Sequence, residues 1–240
     1  MRSIAPTIFL DFDGTITVRD ATDAILEAFA DRRWLGVEEA WKTGRIGSRE
    51  CLMLQMALVA ADRSDVDALL DGIEVDEGFM TLLEWSVARG APVHIVSDGF
   101  DYCIQRILGR PSLGVARYLQ HIRVVASHLE PDGCQWLASF PSSRGGCVHG
   151  CATCKPAAMV QLGVAGAPSV FVGDGLSDRY AAVAADIVFA KDTLATYCVE
   201  HSILHTPYTT LATVAQRLDE ILASETTRQH AYRGKASSAV

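Results

Sequence analysis

Three short apolar runs, each ending in acids or hydroxyl groups, constrain the fold of this chain more than any other feature. Ala5 to Leu10 runs into Asp-Phe-Asp-Gly-Thr, Pro92 to Val96 into Ser97-Asp98-Gly99, and Ser169 to Val172 into Gly173-Asp174-Gly175. Continuous apolar runs of this kind predict strands buried on both faces, which belong to parallel sheets covered by helices. Around them the apolar period is helical: Ala21, Ala24, Ile25, Ala28 and Phe29, then residues 49–61 and 64–70, then a helix capped by Asp76 and closed after Arg89 by Gly90. Arg123 to His128 and Cys134 to Phe140, joined by Pro131-Asp132-Gly133, predict a strand pair, and Lys155 to Leu162 a helix. Helix 177–185, strand 186–190, helix 192–200, strand 202–206 and helix 209–223 complete the alternation.

The expected fold is therefore α/β, a doubly wound and mostly parallel sheet with an inserted all-helical cap. Residues 1–16 and 74–223 form the expected core, 17–73 the cap, and 224–240, rich in Ser, Thr, Gln and Lys, a disordered tail. In such sheets ligands bind beyond the carboxyl ends of the strands, where the three polar endings lie.

Composition narrows the partners. A hydrophobic share of 49%, a charged share of 21% and a net charge of -8 describe a globular protein without the basic surface that nucleic acid or an anionic membrane would require. No run of apolar residues is long enough for a transmembrane helix, and acids interrupt the first one too early for a signal peptide. The expected setting is the cytoplasm, as a monomer or homodimer.

Asp11 and Asp13 stand two apart at a strand end, so both side chains can serve one face, and Gly14 lets the chain turn away sharply. One acid that attacks and one that moves a proton would suit displacement of an alcohol from phosphorus. A solvated turn capping the next helix is the competing reading of this pair alone. Ser97, Lys155, Asp174 and Asp178 tilt the balance by their order along the chain.

The stretches Asp-Phe-Asp-Gly-Thr, Val-Ser-Asp-Gly, Cys-Lys-Pro and Gly-Asp-Gly-Leu-Ser-Asp resemble the four motifs of the haloacid dehalogenase superfamily, specifically its phosphatases. The resemblance spans residues 8 to about 200 and implies a Rossmann-like core. It implies Asp11 as nucleophile and Asp13 as general acid and base. Mg²⁺ would be held by Asp11, the Asp13 carbonyl and Asp174, with Asp178 acting through water or by orienting Lys155. Ser97 and the amides of Asp98 and Gly99 would hold phosphoryl oxygens, and Lys155 would neutralise the transferring group. Positive charge is needed because like charges about 4 Å apart repel by roughly 4 kcal/mol at an effective dielectric of 20.

A helical cap after the first motif resembles the phosphoserine phosphatase-like branch. Asp20 falls where those enzymes place an acid toward the substrate amine, and it reads equally as a helix N-cap. Gln55 falls where they place an Arg on the substrate carboxylate, and a neutral amide cannot replace that fork. Trp-Lys-Thr-Gly-Arg-Ile, Ser-Asp-Gly-Phe-Asp, Cys-Ala-Thr-Cys-Lys-Pro and Phe-Ala-Lys-Asp look more like the methionine-salvage group, which acts on hydroxyketo-methylthiopentenyl phosphate. A small phosphorylated metabolite is the implied partner. Trp34 and Trp41 are candidates for lining its pocket.

Seven cysteines without a secretion signal favour free thiols or a metal over a disulfide framework. Cys134, Cys147, His149, Cys151 and Cys154 form a candidate structural Zn²⁺ site whose spacing fits no standard finger, the alternative being a packed cluster of reduced thiols. Three other classes compete: a phosphoserine phosphatase-type enzyme, a receiver-like signalling module phosphorylated on Asp, and a catalytically silent binding relative. A receiver would carry its phosphorylated Asp after a later strand and would not need the insertion at 17–73.

Overall fold

A computed structural model of the chain describes residues 4–223. Seven strands form one sheet in the order β4-β3-β2-β1-β5-β6-β7. Strand β1 (Thr7–Leu10) is central, paired in parallel with β2 (Val93–Phe100) on one side and β5 (Ser169–Gly173) on the other. Beyond β5 lie β6 (Ile187–Ala190) and the two-residue β7 (Thr206–Pro207), both parallel; beyond β2 lie β3 (Arg123–Asp132), parallel, and the antiparallel hairpin partner β4 (Gln135–Ser139).

Alternation along β1 divides the core. Ile8 and Leu10 enter the larger apolar cluster, whereas Phe9 enters a second one with Val96, Phe171, Val188 and Leu194. All four β1 residues are buried, as a strand sandwiched between helices requires. Leu10 pairs with both Ile95 and Val172, so the three polar endings emerge level with one another at the carboxyl ends of the three central strands. The order of strands reverses on either side of β1, and the crevice opens there.

Four helices leave the chain between β1 and the next core helix: α1 (Ala21–Phe29), α2 (Trp34–Lys42), α3 (Ser48–Met56) and α4 (Arg63–Asp71). Their stem is a pair of antiparallel segments bridged at Thr17 and Val75, where the Val18 amide donates to the Glu74 carbonyl at 2.9 Å and the Asp76 amide to the Ile16 carbonyl at 2.8 Å. The periodicity had no place for α2, whose nine residues include none that is fully buried and therefore carry a weak apolar signal.

Core helices α5 (Phe79–Arg89), α6 (Asp101–Leu108), α7 (Ala116–Leu119), α8 (Lys155–Leu162), α9 (Arg179–Ala184) and α10 (Asp192–Glu200) flank the sheet, with a final helical stretch at 211–223. Boundaries differ from the sequence reading at several elements: α3 ends at Met56 where a helix to 61 was expected, β7 is Thr206–Pro207 where a strand at 202–206 was expected, and α5 and β2 shift as well. Helix α5 starts at Phe79 because Asp76 Oδ1 accepts the amides of Gly78 and of distant Leu211, a contact that no local pattern reveals. Strand β2 continues past Val96 to Phe100, with its pairing to β3 shifting register across Ser97, Asp98 and Gly99. The expected disorder of 224–240 lies outside the described residues. Among those residues no helix is long and apolar enough to cross a membrane.

Candidate active site

At the carboxyl end of β1 the chain turns about Phe12, whose carbonyl accepts the amides of Thr15, Ile16 and Thr17. Phe12 itself is fully buried, so Asp11 and Asp13 flank an apolar anchor, and both line one cavity with a volume of about 140 Å³. Gly14 takes φ +74°, and any side chain there would collide with the Asp174 carboxylate. A side chain at Gly99 would likewise strike Asp13. Both glycines are therefore spaces reserved for carboxylates.

Lys155, the first residue of α8, is 2% exposed, and its Nζ lies 2.9 Å from Asp11 Oδ1, 2.5 Å from Asp178 Oδ1 and 3.3 Å from Ser177 Oγ. Burial pulls its pKa down, but Asp11, Asp178 and Asp98 together outweigh burial and hold the ammonium charged well above the usual lysine range. The other oxygen of Asp178 accepts the amides of Asp174 and Gly175, both at 3.0 Å, which fixes the loop after β5. Thr15 Oγ1 donates to Asp174 Oδ1 at 2.6 Å, tying that loop to the one after β1.

Asp13 Oδ1 accepts the Ala21 amide at the start of α1 at 2.9 Å. Burial nevertheless raises its pKa to about 7, with Asp11 and Asp174 adding to the rise. An acid held near neutrality can give up and recover a proton at physiological pH. Burial also raises Asp174 to about 8 and Asp178 to about 7, helped by the neighbouring carboxylates.

Asp11, Asp174 and Asp178 each place a carboxylate oxygen within 4.8 Å of the others. Asp11 Oδ1 is buried and has no hydrogen bond of good geometry, although the Lys155 charge stands beside it. Hard oxygen donors, one of them unsatisfied, suit a divalent cation of the Mg²⁺ type. Asp178 is the poorest ligand of the three, because its oxygens are already committed to Lys155 and to two amides.

Ser97, Asp98 and Gly99 line the same cavity. The Gly99 amide, expected to face phosphate, instead donates to Ser97 Oγ at 3.0 Å, leaving the hydroxyl proton of Ser97 free to point elsewhere. The Asp98 carboxylate accepts from Ser48 Oγ of α3 at 2.5 Å and from the Thr153 amide at 2.9 Å.

Residues 8–182 match the model of the haloacid dehalogenase-like hydrolases. The chain belongs to that family. A relative from Geobacillus thermodenitrificans (strain NG80-2), 29% identical over 217 residues that cover 89% of this chain and 96% of its own, is named 2-hydroxy-3-keto-5-methylthiopentenyl-1-phosphate phosphatase. One from Bacillus pumilus (strain SAFR-032), 27% identical over 90% of this chain and 92% of its own, carries the same name. Among solved structures, a HAD family hydrolase from Salmonella enterica serovar Typhi superposes with a TM-score of 0.67 at 18% identity, covering 88% of this chain and 70% of that one. A phosphoserine phosphatase from T. onnurineus gives 0.62 at 13%, covering 89% and 94%. These two likenesses speak for the fold.

In this haloacid dehalogenase-like hydrolase the remaining sequence candidates fall as follows. Asp20 is the N-cap of α1, its Oδ1 accepting the Asp23 amide at 2.8 Å, and it also lines the cavity, its pKa raised by burial and then by Asp13 and Asp23. Gln55 lines the cavity and donates to Glu38 Oε2 at 2.9 Å. Trp41 lines it too, while Trp34 packs against the apolar core.

The zinc expectation is not supported. Among the described residues the converging group of potential metal ligands is the acidic trio, and Cys134, Cys147, His149, Cys151 and Cys154 form none. The His149 ring stacks on Tyr180 at 4.0 Å, and Cys134 sits exposed in the turn before β4. The Cys147 thiol is turned to amides of its own loop, which lower its pKa, while burial pushes Cys151 up to about 12.

Sequence reasoning missed Thr15, Ser48, Thr22, Asp23 and Glu38, and it missed the role of the Asp98 side chain. Thr15 was visible within the first motif; the others lie in segments whose approach to the site depends on how the helical insertion folds back.

Proposed function

We propose that this protein is a Mg²⁺-dependent phosphatase that hydrolyses a small phosphate monoester through an aspartyl-phosphate on Asp11. The observation that carries the reading is the convergence of Lys155, Asp174 and Asp178 from separate strand and helix ends upon the carboxylate of Asp11, whose Oδ1 is buried without a hydrogen bond. The phosphatase names of the curated relatives support it.

Asp11 attacks phosphorus while Asp13 donates its proton to the departing alcohol oxygen. Asp13 then takes a proton from the water that attacks the aspartyl-phosphate, releasing inorganic phosphate and restoring Asp11. Lys155 neutralises Asp11 and the phosphoryl oxygens as they approach. Ser97 donates its hydroxyl to one of those oxygens, the Asp98 amide stands beside it, and Gly99 holds Ser97 in place. Asp11, the Asp13 carbonyl and Asp174 would hold Mg²⁺, which supplies positive charge to the transferring phosphoryl group when bound. Asp178 orients Lys155. Residues 17–73 form the cap over a core built from the segments on either side.

Among the described residues, none that lines the cavity is Lys, Arg or His. A leaving group without a carboxylate, such as that of a methionine-salvage-type phosphate, therefore suits the cavity better than phosphoserine. Assays with p-nitrophenyl phosphate test the reading: turnover should require Mg²⁺ and vanish in Asp11→Asn. Undiminished turnover in that variant, or stable stoichiometric phosphorylation without turnover, would overturn it.

A further inference from the structure

The helical segment contributes its own part of the cavity wall: Thr22 and Asp23 from α1, Glu38 and Trp41 from α2, and Gln55 from α3. The mechanism above uses none of them. Glu38 is set in place by Gln55 Nε2 at 2.9 Å and by Lys42 Nζ at 3.2 Å, the lysine itself lying 60% exposed on the outer side. Among the described residues Asp23 has no such partner. The two cations that act on it, Lys42 and Arg19, are paired with Glu38 and Glu27. Burial and the neighbouring Glu38 both push the Asp23 carboxyl up, as expected of an acid whose balancing charge is not supplied by the protein.

A separate observation points the same way. Thr22 is 5% exposed and lines the cavity, and its Oγ1 has no hydrogen-bond partner. A buried hydroxyl left without a partner costs free energy unless a ligand supplies one. An acceptor hydroxyl, two carboxylates and an indole, with no cation among the described lining residues, describe a place for a small positively charged donor.

We propose that this wall is the subsite for a primary ammonium group on the leaving alcohol, so that the preferred substrates are phosphate esters of short amino alcohols. The proposal rests on the phosphatase reading and deepens it: the P–O bond to the alcohol breaks, water adds to phosphorus, and the ammonium group leaves unchanged. Within the carboxylate-free esters that suit the cavity, a charged amine is favoured over a neutral chain.

The test is a matched pair measured on the full chain with Mg²⁺: kcat/KM for 2-aminoethyl phosphate against 2-hydroxyethyl phosphate, with p-nitrophenyl phosphate as reference. The ammonium ester should be favoured by at least about tenfold. Asp23→Asn, Glu38→Gln and the near-isosteric Thr22→Val should each pull that ratio toward one, mainly through KM. Because the ratio is taken within each variant, loss of folded protein cancels. A wild-type ratio at or below one, with p-nitrophenyl phosphate turned over, overturns the subsite alone. A ratio unmoved by all three substitutions does the same. No turnover of any ester overturns the phosphatase reading and the subsite together.

Discussion

Ser48 at the start of α3 and Asp98 in the irregular stretch of β2 are joined by a 2.5 Å hydrogen bond. The same serine oxygen accepts the Ala152 amide at 3.0 Å, and the other Asp98 oxygen accepts the Thr153 amide. One small network thus unites the helical insertion, the strand end beside Ser97 and the loop leading to Lys155.

Ser48→Ala removes the donor and leaves a buried carboxylate oxygen short of a partner. Steady-state kinetics should show KM raised several-fold with a smaller change in kcat. Thermal melting should show a loss of about 1–3 kcal/mol. An unchanged KM would mean that the network does not set the position of α3.

Lys155→Ala should be worse than Asp11→Asn for stability, because it strands two buried carboxylates instead of one cation that keeps a second partner. A loss of roughly 3–5 kcal/mol in denaturant unfolding is expected, with no detectable turnover. A variant as stable as the parent would contradict the buried ion-pair arrangement.

The metal-free protein should lose stability as pH rises. Asp13, Asp174 and Asp178 sit at about 7, 8 and 7 when folded, against an ordinary value near 3.8. The folded state therefore holds protons that the unfolded chain releases first, and the cost grows from about pH 4 and levels off above about pH 8. Melting in a chelator should fall across this window by an amount on the order of a few kcal/mol, and added Mg²⁺ should restore most of it at the alkaline end. A melting temperature that climbs with pH in chelator would refute this.

Gly14→Ala combines a positive φ with a collision against Asp174. It should destabilise by about 1–3 kcal/mol and shift the Mg²⁺ dependence of turnover to higher concentration. An unaltered Mg²⁺ response would show that the loop relaxes without moving Asp174.

Much of this was legible in the sequence for a physical reason. Strands buried on both faces cannot hide, so Thr7–Leu10 and Ser169–Gly173 announce themselves, and the acids that follow them stand where the sheet order reverses. Lys155 was readable as a helix start, but its near-complete burial was not, since that follows from acids supplied by two distant segments. Glu38 and Asp23 could not be read as cavity residues, because no local spacing records that α1 and α2 bring them to the same cavity as Asp11. The cysteines misled in the opposite direction: Cys147 and Cys151 meet, but among the described residues no third ligand joins them in a metal-sized group, and His149 stacks on Tyr180.

The stem at Thr17 and Val75 carries a consequence for how such a chain can diversify. Outgoing and returning segments are hydrogen-bonded to each other at Val18 and Glu74, so the excursion departs and comes home at a single point. The ends of whatever is spliced there are already held together, and the closure penalty grows only slowly with the length inserted. The part of the cavity wall that this excursion supplies can therefore be exchanged as one contiguous stretch while Asp11, Asp13 and Asp174 stay untouched.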